Sequence, residues 1–462
     1  MSQPGGDRPA IALRGKARFV PTFGRPAGAR CYNLRVKLPR TSLLWFVVLG
    51  VAVDLPAQSG IPPWDLWTPA VLAEIKDRST LELLVTPRTG YAEITFTSNA
   101  SANWFDAKAP YAEHRGEKIR IHGYLTTPSA GGPFPSLVIG HGHGGSADLA
   151  IAQYAASLGY VAFYIDGPGA GQSTGPSDDN QAWISVDYGP QYGYLYHYAY
   201  AGMRALTALE ELAGRAGNPY RIDTGRLGVF GASMGGMFTT YINALDDRVK
   251  AAIIMASAGN LPHTLRYPNS WLYEGIYNHT RDKPYNGSDP LNSIEDIDSD
   301  PTAITFLNYF DPLLYATRQR APVLTLMGTH DQYFPLPNAN LMLQAITSAG
   351  TRQNFEKRLW LLPDKPHAFA DSALDLFGLL GGITGWLDYA FGKRERPLAT
   401  PQVSMTESFG EELVIQWSKE ETCVLPGQFG AVVWCPFGMG GVNCERSEQV
   451  SANRNLARRS RS

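Results

Sequence analysis

The stretch Gly231-Ala232-Ser233-Met234-Gly235-Gly236 decides the fold, because the sequence changes character on either side of its serine. Residues 227–230 are typical of a short buried strand, and residues 237–242 continue as an apolar-periodic helix. Small residues on both sides of Ser233 permit a sharp strand-to-helix turn, which bulkier side chains would block. Such a turn exposes the hydroxyl and directs N–H groups of the new helix toward a developing oxyanion. We therefore predict that Ser233 is a nucleophile, with a purely structural turn as the alternative.

An acid and a base follow the serine in the order that this turn predicts, Ser then Asp then His. Asp331 follows a strand predicted at residues 321–327, and His367 follows a strand predicted at 359–362. The separation of 36 positions between them leaves room for one helix, around 338–349, and one strand. Both side chains should therefore emerge at the same edge of a parallel sheet as Ser233. We expect His367 to act as general base and acid, and Asp331 to hold its tautomer.

Other residues compete for these roles. Asp331 is also a possible helix cap, and Asp364 or Asp311 could replace it as the acid. His330, beside the acid, is expected to pack elsewhere, and the early histidines His263 and His279 are expected at the surface or in a pocket.

A second part of an oxyanion site lies upstream. Residues 136–140 read as a buried strand that ends in His141-Gly142-His143-Gly144-Gly145. A glycine-rich exit lets the backbone approach the serine turn and present an N–H group to a substrate carbonyl. We predict the main-chain N–H groups of Met234 and His143 as the two donors. An ordinary glycine turn, or a donor one position away from His143, is the alternative.

These motifs together resemble the α/β-hydrolase superfamily, nearest to the branch of dienelactone hydrolases, acetyl xylan esterases and prolyl-oligopeptidase catalytic domains. The resemblance covers about residues 85–392 and rests on HGHGG at 141–145, DGPGAGQS at 166–173, GASMGG at 231–236, GTHD at 328–331 and His367. It implies an α/β fold, with a mostly parallel, doubly wound sheet and helices on both faces. Pro168 stands where the family usually carries arginine, so an ion pair of that arginine is absent. The resemblance also implies that Asp166 forms a turn and is not catalytic.

The pattern along the chain predicts three regions: a leader at 1–59, a catalytic domain at 60–395 and a partial β module with a disordered tail at 396–462. An irregular insertion is expected at about 260–320, and the β module should begin with strands at 402–405 and 412–417. Further strands are predicted at 92–97, 119–126, 160–165 and 249–256. Further helices are predicted at 147–158, 194–213 and 374–391.

The leader contains a segment, at about residues 35–58, that resembles a secretory signal beginning late, and this predicts a secreted or periplasmic protein. Residues 1–40 are basic, with Asp7 as the one acidic residue, and residues 41–53 are uncharged and apolar. We expect a native start near Leu34 or Val36, export, and no stable membrane association after signal removal. A membrane anchor or a buried helix is the alternative. Export would allow two of the tail cysteines, Cys423, Cys435 and Cys444, to pair.

Composition narrows the function classes. The 462 residues carry a net charge of −2, and 44% of them are hydrophobic. With no sustained basic patch in the central region, and no phosphate-binding loop, dinucleotide fingerprint or metal-ligand spacing, we expect no nucleic acid partner, cofactor or metal. The sequence predicts a secreted serine ester hydrolase that acts on small or polymer-linked esters, with a serine peptidase or a silent binding protein as alternatives. It makes no prediction of oligomeric state.

Two aromatic-rich segments leave the substrate open, because their rings could line a cleft for carbohydrate or aromatic esters or could fill the core. They are Trp183, Tyr188, Tyr192, Tyr194, Tyr196, Tyr198 and Tyr200, and then Trp271, Tyr273, Tyr277 and Tyr285.

Overall fold

The computed structural model describes residues 63–99, 116–177, 186, 189–267, 270–272, 298–299, 301–346, 355–369 and 373–395. It also describes the backbone of four strands outside these ranges. The chain forms two compact units, one of Asp54–Leu398 and the other of Met1–Val53 with Ala399–Ser462.

Thirteen strands are present in the described residues. In chain order they are β1 (Arg18–Phe19), β2 (Arg30–Lys37), β3 (Leu84–Arg88), β4 (Tyr91–Thr97), β5 (Arg120–Thr126), β6 (Phe134–Gly140), β7 (Val161–Ile165), β8 (Ile222–Ala232), β9 (Val249–Met255), β10 (Val323–Gly328), β11 (Lys357–Leu362), β12 (Gln402–Ser408) and β13 (Glu412–Lys419). The described α-helices are α1 (Pro69–Lys76), α2 (Leu149–Ser157), α3 (Tyr194–Gly214), α4 (Met234–Leu245), α5 (Leu261–Arg266), α6 (Pro301–Phe310), α7 (Pro312–Ala316), α8 (Leu336–Ala345) and α9 (Ala373–Ala390). Short 3-10 turns lie at Pro63–Asp65, Arg78–Thr80 and Pro190–Tyr192.

The larger unit is built on a nine-stranded sheet in the order β11-β10-β9-β8-β6-β7-β5-β4-β3. The six strands from β11 to β7 are parallel, whereas β5, β4 and β3 continue the sheet in antiparallel pairs. From β6 the chain first goes to β7 on one side and then returns to β8 on the other. The strand order therefore reverses at β6, and a crevice for ligands is expected at the carboxyl ends of β6 and β8.

Helices cover both faces of this sheet, as the sequence predicts. On one face α3 and α4 pack with the apolar side chains of β6 and β8, and Tyr198 and Phe238 lie in that core. On the other face α2 and α9 form a smaller core around Trp386 and Leu326. Helix α3 is buried on nearly all sides, and Tyr194, Tyr196, Tyr198 and Tyr200 are all among its buried residues. These four tyrosines fill the core, so the packing interpretation of this segment is correct for them.

A buried arginine fixes the first helix to the sheet. Arg204 is fully buried in α3, and its guanidinium donates to the carbonyl oxygens of Ile75, Asp77 and Thr97. These carbonyls include the last ones of α1, which have no partners inside that helix. Burial lowers the pKa of Arg204, whereas the carbonyl oxygens that accept its hydrogen bonds stabilise the positive charge of the guanidinium.

The smaller unit contains one antiparallel sheet in the order β1-β2-β13-β12. Strands β12 and β13 lie where the sequence predicts the opening of a β module. Strand β2 pairs with β13 from Arg30↔Lys419 to Lys37↔Glu412, so part of the leader belongs to this sheet.

Several differences from the sequence prediction have local causes. The range 260–320 is not irregular throughout, because α5, α6 and α7 lie within it. Helices α6 and α7 each begin with a proline. Proline is common at the first helical position but is also typical of loops, so the composition did not reveal these helices. The apolar leader segment 41–53, Cys423, Cys435, Cys444, Trp183, Tyr188, Tyr273, Tyr277, Tyr285 and His279 lie outside the described residues. No helix within the described residues is long and apolar enough to span a bilayer.

Candidate active site

Ser233 occupies a strained turn between β8 and α4. Its backbone has φ 59° and ψ −120°, a conformation that non-glycine residues rarely adopt and that costs on the order of 1–3 kcal/mol. The Ser233 N–H donates to the carbonyl of Met255 at 2.9 Å, and the Ser233 carbonyl accepts from Gly236 at 2.8 Å. A Cβ on Gly235 would meet the carbonyl oxygen of His141 at 2.8 Å, so this position requires glycine. The small residues of the motif therefore permit the turn, as the sequence predicts.

Asp331 and His367 meet in a hydrogen bond between the exit loops of β10 and β11. His367 Nδ1 donates to Asp331 Oδ2 at 2.9 Å. Asp331 Oδ1 accepts from the backbone N–H groups of Tyr333 and Phe334 at 2.9 and 2.8 Å. The Asp331 side chain is fully buried and the His367 side chain is 16% exposed. The carboxylate is thus fixed on one oxygen and holds the imidazole with the other, which leaves Nε2 available for proton transfer.

Backbone contacts between the two exit loops position this pair. A Cβ on Gly328 would collide with the carbonyl oxygens of Lys365 and Pro366, so only glycine lets the loops approach. His330 N–H donates to the Lys365 carbonyl at 3.0 Å, and His367 N–H donates to Gln332 Oε1 at 3.1 Å. Gln332 is a site residue that the sequence reasoning missed. Its position directly after the acid was the available signal.

Ser233 lies at the same sheet edge, since β8, β10 and β11 are parallel and each ends just before its functional residue. Within the described residues, no hydrogen bond joins Ser233 Oγ to His367. Catalytic hydrogen bonds are often long in the absence of substrate and tighten in the complex.

The loop after β6 lies against the serine turn. A Cβ on Gly142 would be 3.4 Å from Ser233 Cβ, and Gly145 N–H donates to the Gly142 carbonyl to close a turn. His143 lies inside this turn and is exposed, and Met234 is buried as the first residue of α4. The first N–H groups of a helix lack intrahelical acceptors, which is what an oxyanion site needs. The donor roles of Met234 and His143 stay predictions.

Two side chains hold this loop, and the sequence did not predict this role for either of them. His141 is buried, and its Nε2 accepts from Gly167 N–H at 2.7 Å while its Nδ1 donates to the Gly142 carbonyl at 2.7 Å. The Tyr198 hydroxyl donates to the His141 carbonyl at 3.0 Å. The pair of bonds at the ring requires the neutral Nδ1–H tautomer of His141. The contacts of His141 with Gly167 and Tyr198 join distant segments of the chain, and no local sequence pattern indicates them.

Asp166 has the turn-forming place that the resemblance implies. Its carboxylate accepts from Ala147 N–H at 2.6 Å, from Gln172 N–H at 3.0 Å and from His122 Nδ1 at 2.8 Å. Burial alone would raise the pKa of Asp166, but the hydrogen bonds from His122, Gln172 and Ala147 hold it below its ordinary value. The carboxylate connects the loops after β6 and β7.

The competing candidates for the triad lie elsewhere. Asp311 is buried and accepts from the N–H groups of Asn260, Leu261 and Leu313. Burial raises its pKa to about 6. Asp364 and His330 are exposed, and His263 is hydrogen-bonded to Asn338. None of these is hydrogen-bonded to His367 in the part of the chain that the structure describes. Within that part, no cluster of three or more His, Cys, Asp or Glu side chains is arranged to hold a metal ion.

Comparison with known proteins found one matching family model and several similar structures. The model of the prolyl oligopeptidase family matches residues 206–394, a range that includes Ser233, Asp331 and His367. An acetyl xylan esterase from Paenibacillus sp. R4 has a similar structure, with a TM-score of 0.51 and 19% identity over 70% of this chain and 94% of that chain. Acetyl xylan esterase 1 from Thermoanaerobacterium sp. JW/SL YS485 has a TM-score of 0.46 and 20% identity over 71% and 98% of the two chains. An acylaminoacyl peptidase from Pyrococcus horikoshii has a TM-score of 0.45 and 16% identity over 66% and 48%. The doubly wound sheet, the match to this family model and the similar structure of the Paenibacillus enzyme identify the fold of this chain as that of the α/β-hydrolases.

Proposed function

We propose that the protein is a serine carboxylic-ester hydrolase in which Ser233, His367 and Asp331 form the triad. The observation that carries the proposal is the 2.9 Å bond between His367 and a fully buried Asp331, at the sheet edge where the strained Ser233 also lies. The similar fold of the Paenibacillus acetyl xylan esterase supports an ester as the substrate class.

The chemistry follows from the roles of the three side chains. Ser233 Oγ would attack the ester carbonyl carbon while its proton passes to His367 Nε2. The negative oxygen of the tetrahedral intermediate would accept hydrogen bonds from the backbone N–H groups of Met234 and His143. The intermediate would then expel the alcohol, which takes the proton from His367. Water, deprotonated by His367, would hydrolyse the acyl-serine in the same way and release the acid.

A serine peptidase is the second candidate, because the family whose model matches residues 206–394 is named for an oligopeptidase. The acetyl xylan esterase from Paenibacillus favours the esterase, because its similarity to this chain extends over 94% of its own length.

Hydrolysis of p-nitrophenyl acetate and butyrate, compared with a peptide p-nitroanilide, tests the proposal. Ester hydrolysis should fall at least about 10³-fold in Ser233→Ala, because the members of a triad act as a unit. Ser146→Ala is the matched control, since Ser146 is an exposed serine near the same loop. Anilide cleavage without ester cleavage would favour the peptidase. If the folded protein cleaved neither substrate, the hydrolytic assignment to this site would be wrong.

Export is a separate part of the proposal, supported by the basic stretch and apolar segment of the leader. The pairing of β2 with β13 bears on it, since cleavage near residue 58 would remove β2 from that sheet. N-terminal sequencing of the exported protein decides between removal of the leader and retention of β2. A mature chain that begins after residue 53 supports signal removal, and retention of residues 30–37 contradicts it.

A further inference from the structure

An exposed tryptophan is connected to the catalytic histidine through one aromatic ring. The Tyr333 ring lies 4.5 Å from the His367 imidazole, centroid to centroid. The Trp271 indole lies 5.7 Å from the Tyr333 ring at an interplanar angle of 80°. Trp271 is 50% exposed. The three rings thus form a continuous line from the proton-transfer group to solvent.

Backbone hydrogen bonds hold this line in place without using the indole itself. Trp271 N–H donates to the Gln332 carbonyl at 3.0 Å, and Gln332 Oε1 accepts from His367 N–H. Tyr333 N–H donates to the carboxylate of Asp331. The position of Trp271 is therefore fixed relative to the candidate triad, while half of its surface is exposed to solvent.

Exposed apolar side chains are common and usually need no explanation. Leu84 is even more exposed, at 60%, but it lies in β3 at the far edge of the sheet. Trp271 differs because it lies beside the site and leaves half of a large, rigid ring system exposed to solvent. Tryptophan rings of this kind bind flat ligand rings by stacking, with energies beyond those of simple burial.

The position of Tyr333 and Trp271 beside His367 indicates which part of a substrate they would contact. In acyl transfer, His367 must give its proton to the departing alcohol oxygen, so the alcohol is within hydrogen-bonding reach of Nε2. Groups that flank His367 on its exposed side consequently contact the alcohol, whereas the acyl group lies between Ser233 and the oxyanion donors.

We infer that Trp271 and Tyr333 form a subsite for the alcohol part of the substrate, and that this alcohol carries a six-membered ring whose apolar face stacks on the indole. The inference rests on the proposed esterase function and specifies its substrate class. An aryl ring and a pyranose ring share the chemistry that the subsite recognises.

Three acetate esters with the same acyl group test the subsite: phenyl acetate, an acetylated methyl xylopyranoside and ethyl acetate. For Trp271→Ala, kcat/KM relative to the wild type should fall about tenfold on one or both ring esters and less than about twofold on ethyl acetate. Trp271→Phe should restore most of the loss. Leu84→Ala is the matched control for removal of an exposed apolar side chain, and it should leave all three values unchanged.

The ester that responds more strongly identifies the ring as aryl or pyranose. Equal losses on all three esters would overturn the subsite and indicate a general disturbance of His367, and no loss on either ring ester would also overturn it. Failure of the proposed function is distinguishable, because the wild type would then show no Ser233-dependent hydrolysis even of ethyl acetate. That result would overturn both proposals.

Discussion

Asp331→Asn changes one atom of the candidate triad and should nearly abolish turnover while the fold is kept. Asp331 Oδ1 accepts from the N–H groups of Tyr333 and Phe334, so the amide oxygen of the variant has two donors to hold it there. The amide nitrogen then replaces Oδ2, which faces His367 Nδ1 at 2.9 Å. An amide N–H can pair only with an unprotonated Nδ1, so His367 is held as the Nε2–H tautomer and cannot accept the serine proton.

The magnitude follows from this exchange of tautomer. The same substitution in a serine-protease triad lowers kcat about 10⁴-fold, which is about 5.5 kcal/mol of transition-state stabilisation. We expect a similar loss here, because the Asp331 side chain is fully buried and water cannot take its place. The loss of unfolding free energy should be only about 1–3 kcal/mol, the cost of a buried hydrogen bond to a charged group.

Steady-state hydrolysis of p-nitrophenyl butyrate and thermal unfolding measure the two effects. Asp364→Asn is the matched control, since Asp364 is exposed and has a φ of 56°, which asparagine also tolerates. The control should retain wild-type kcat. The assignment of Asp331 as the acid would be refuted if the kcat of Asp331→Asn were within tenfold of the wild-type value. It would also be refuted if Asp364→Asn lost more kcat than Asp331→Asn.

Three further outcomes follow from described contacts. The pKa of Asp311 is raised to about 6 in the folded state, so this group stabilises the fold most below the unfolded pKa and loses that contribution as pH rises through about 6. The difference in unfolding free energy between wild type and Asp311→Asn should therefore shift by about 2 kcal/mol from about pH 4 to about pH 8, as measured by urea unfolding; a constant difference contradicts it. Gly235→Ala should lower kcat at least about tenfold, because its Cβ would press on the carbonyls of Gly140 and His141; wild-type kcat would contradict the close packing. Tyr198→Phe removes the hydrogen bond to the His141 carbonyl and should cost about 1 kcal/mol of unfolding free energy together with a fall in kcat and little change in KM; an unchanged kcat would show that this bond does not position the loop.

The elements that position the site could be predicted from the sequence because local patterns determine them. Small residues around Ser233 and apolar strands before Asp331 and His367 specify a turn and two parallel strands. The order of strands then brings their carboxyl ends to one edge, where His367 and Asp331 meet as expected.

What the sequence could not provide are contacts between distant segments. The hydrogen bond from Tyr198 to the His141 carbonyl depends on packing that no local pattern encodes. The pairing of Arg30–Lys37 with Glu412–Lys419 joins opposite ends of the chain and is likewise invisible to local periodicity. The tyrosines of α3 illustrate a further limit, because a helix that is buried all round has the same aromatic composition as a wall of a binding cleft.

The central claim is that Ser233 carries the acyl group during turnover. The most direct measurement is acid quenching of the protein within the first turnovers of p-nitrophenyl butyrate, followed by peptide mass spectrometry. The account predicts a butyryl adduct on Ser233 that is absent from Ser233→Ala. Butyryl transfer to a different residue, or hydrolysis that proceeds at the wild-type rate with no adduct on Ser233, would contradict it.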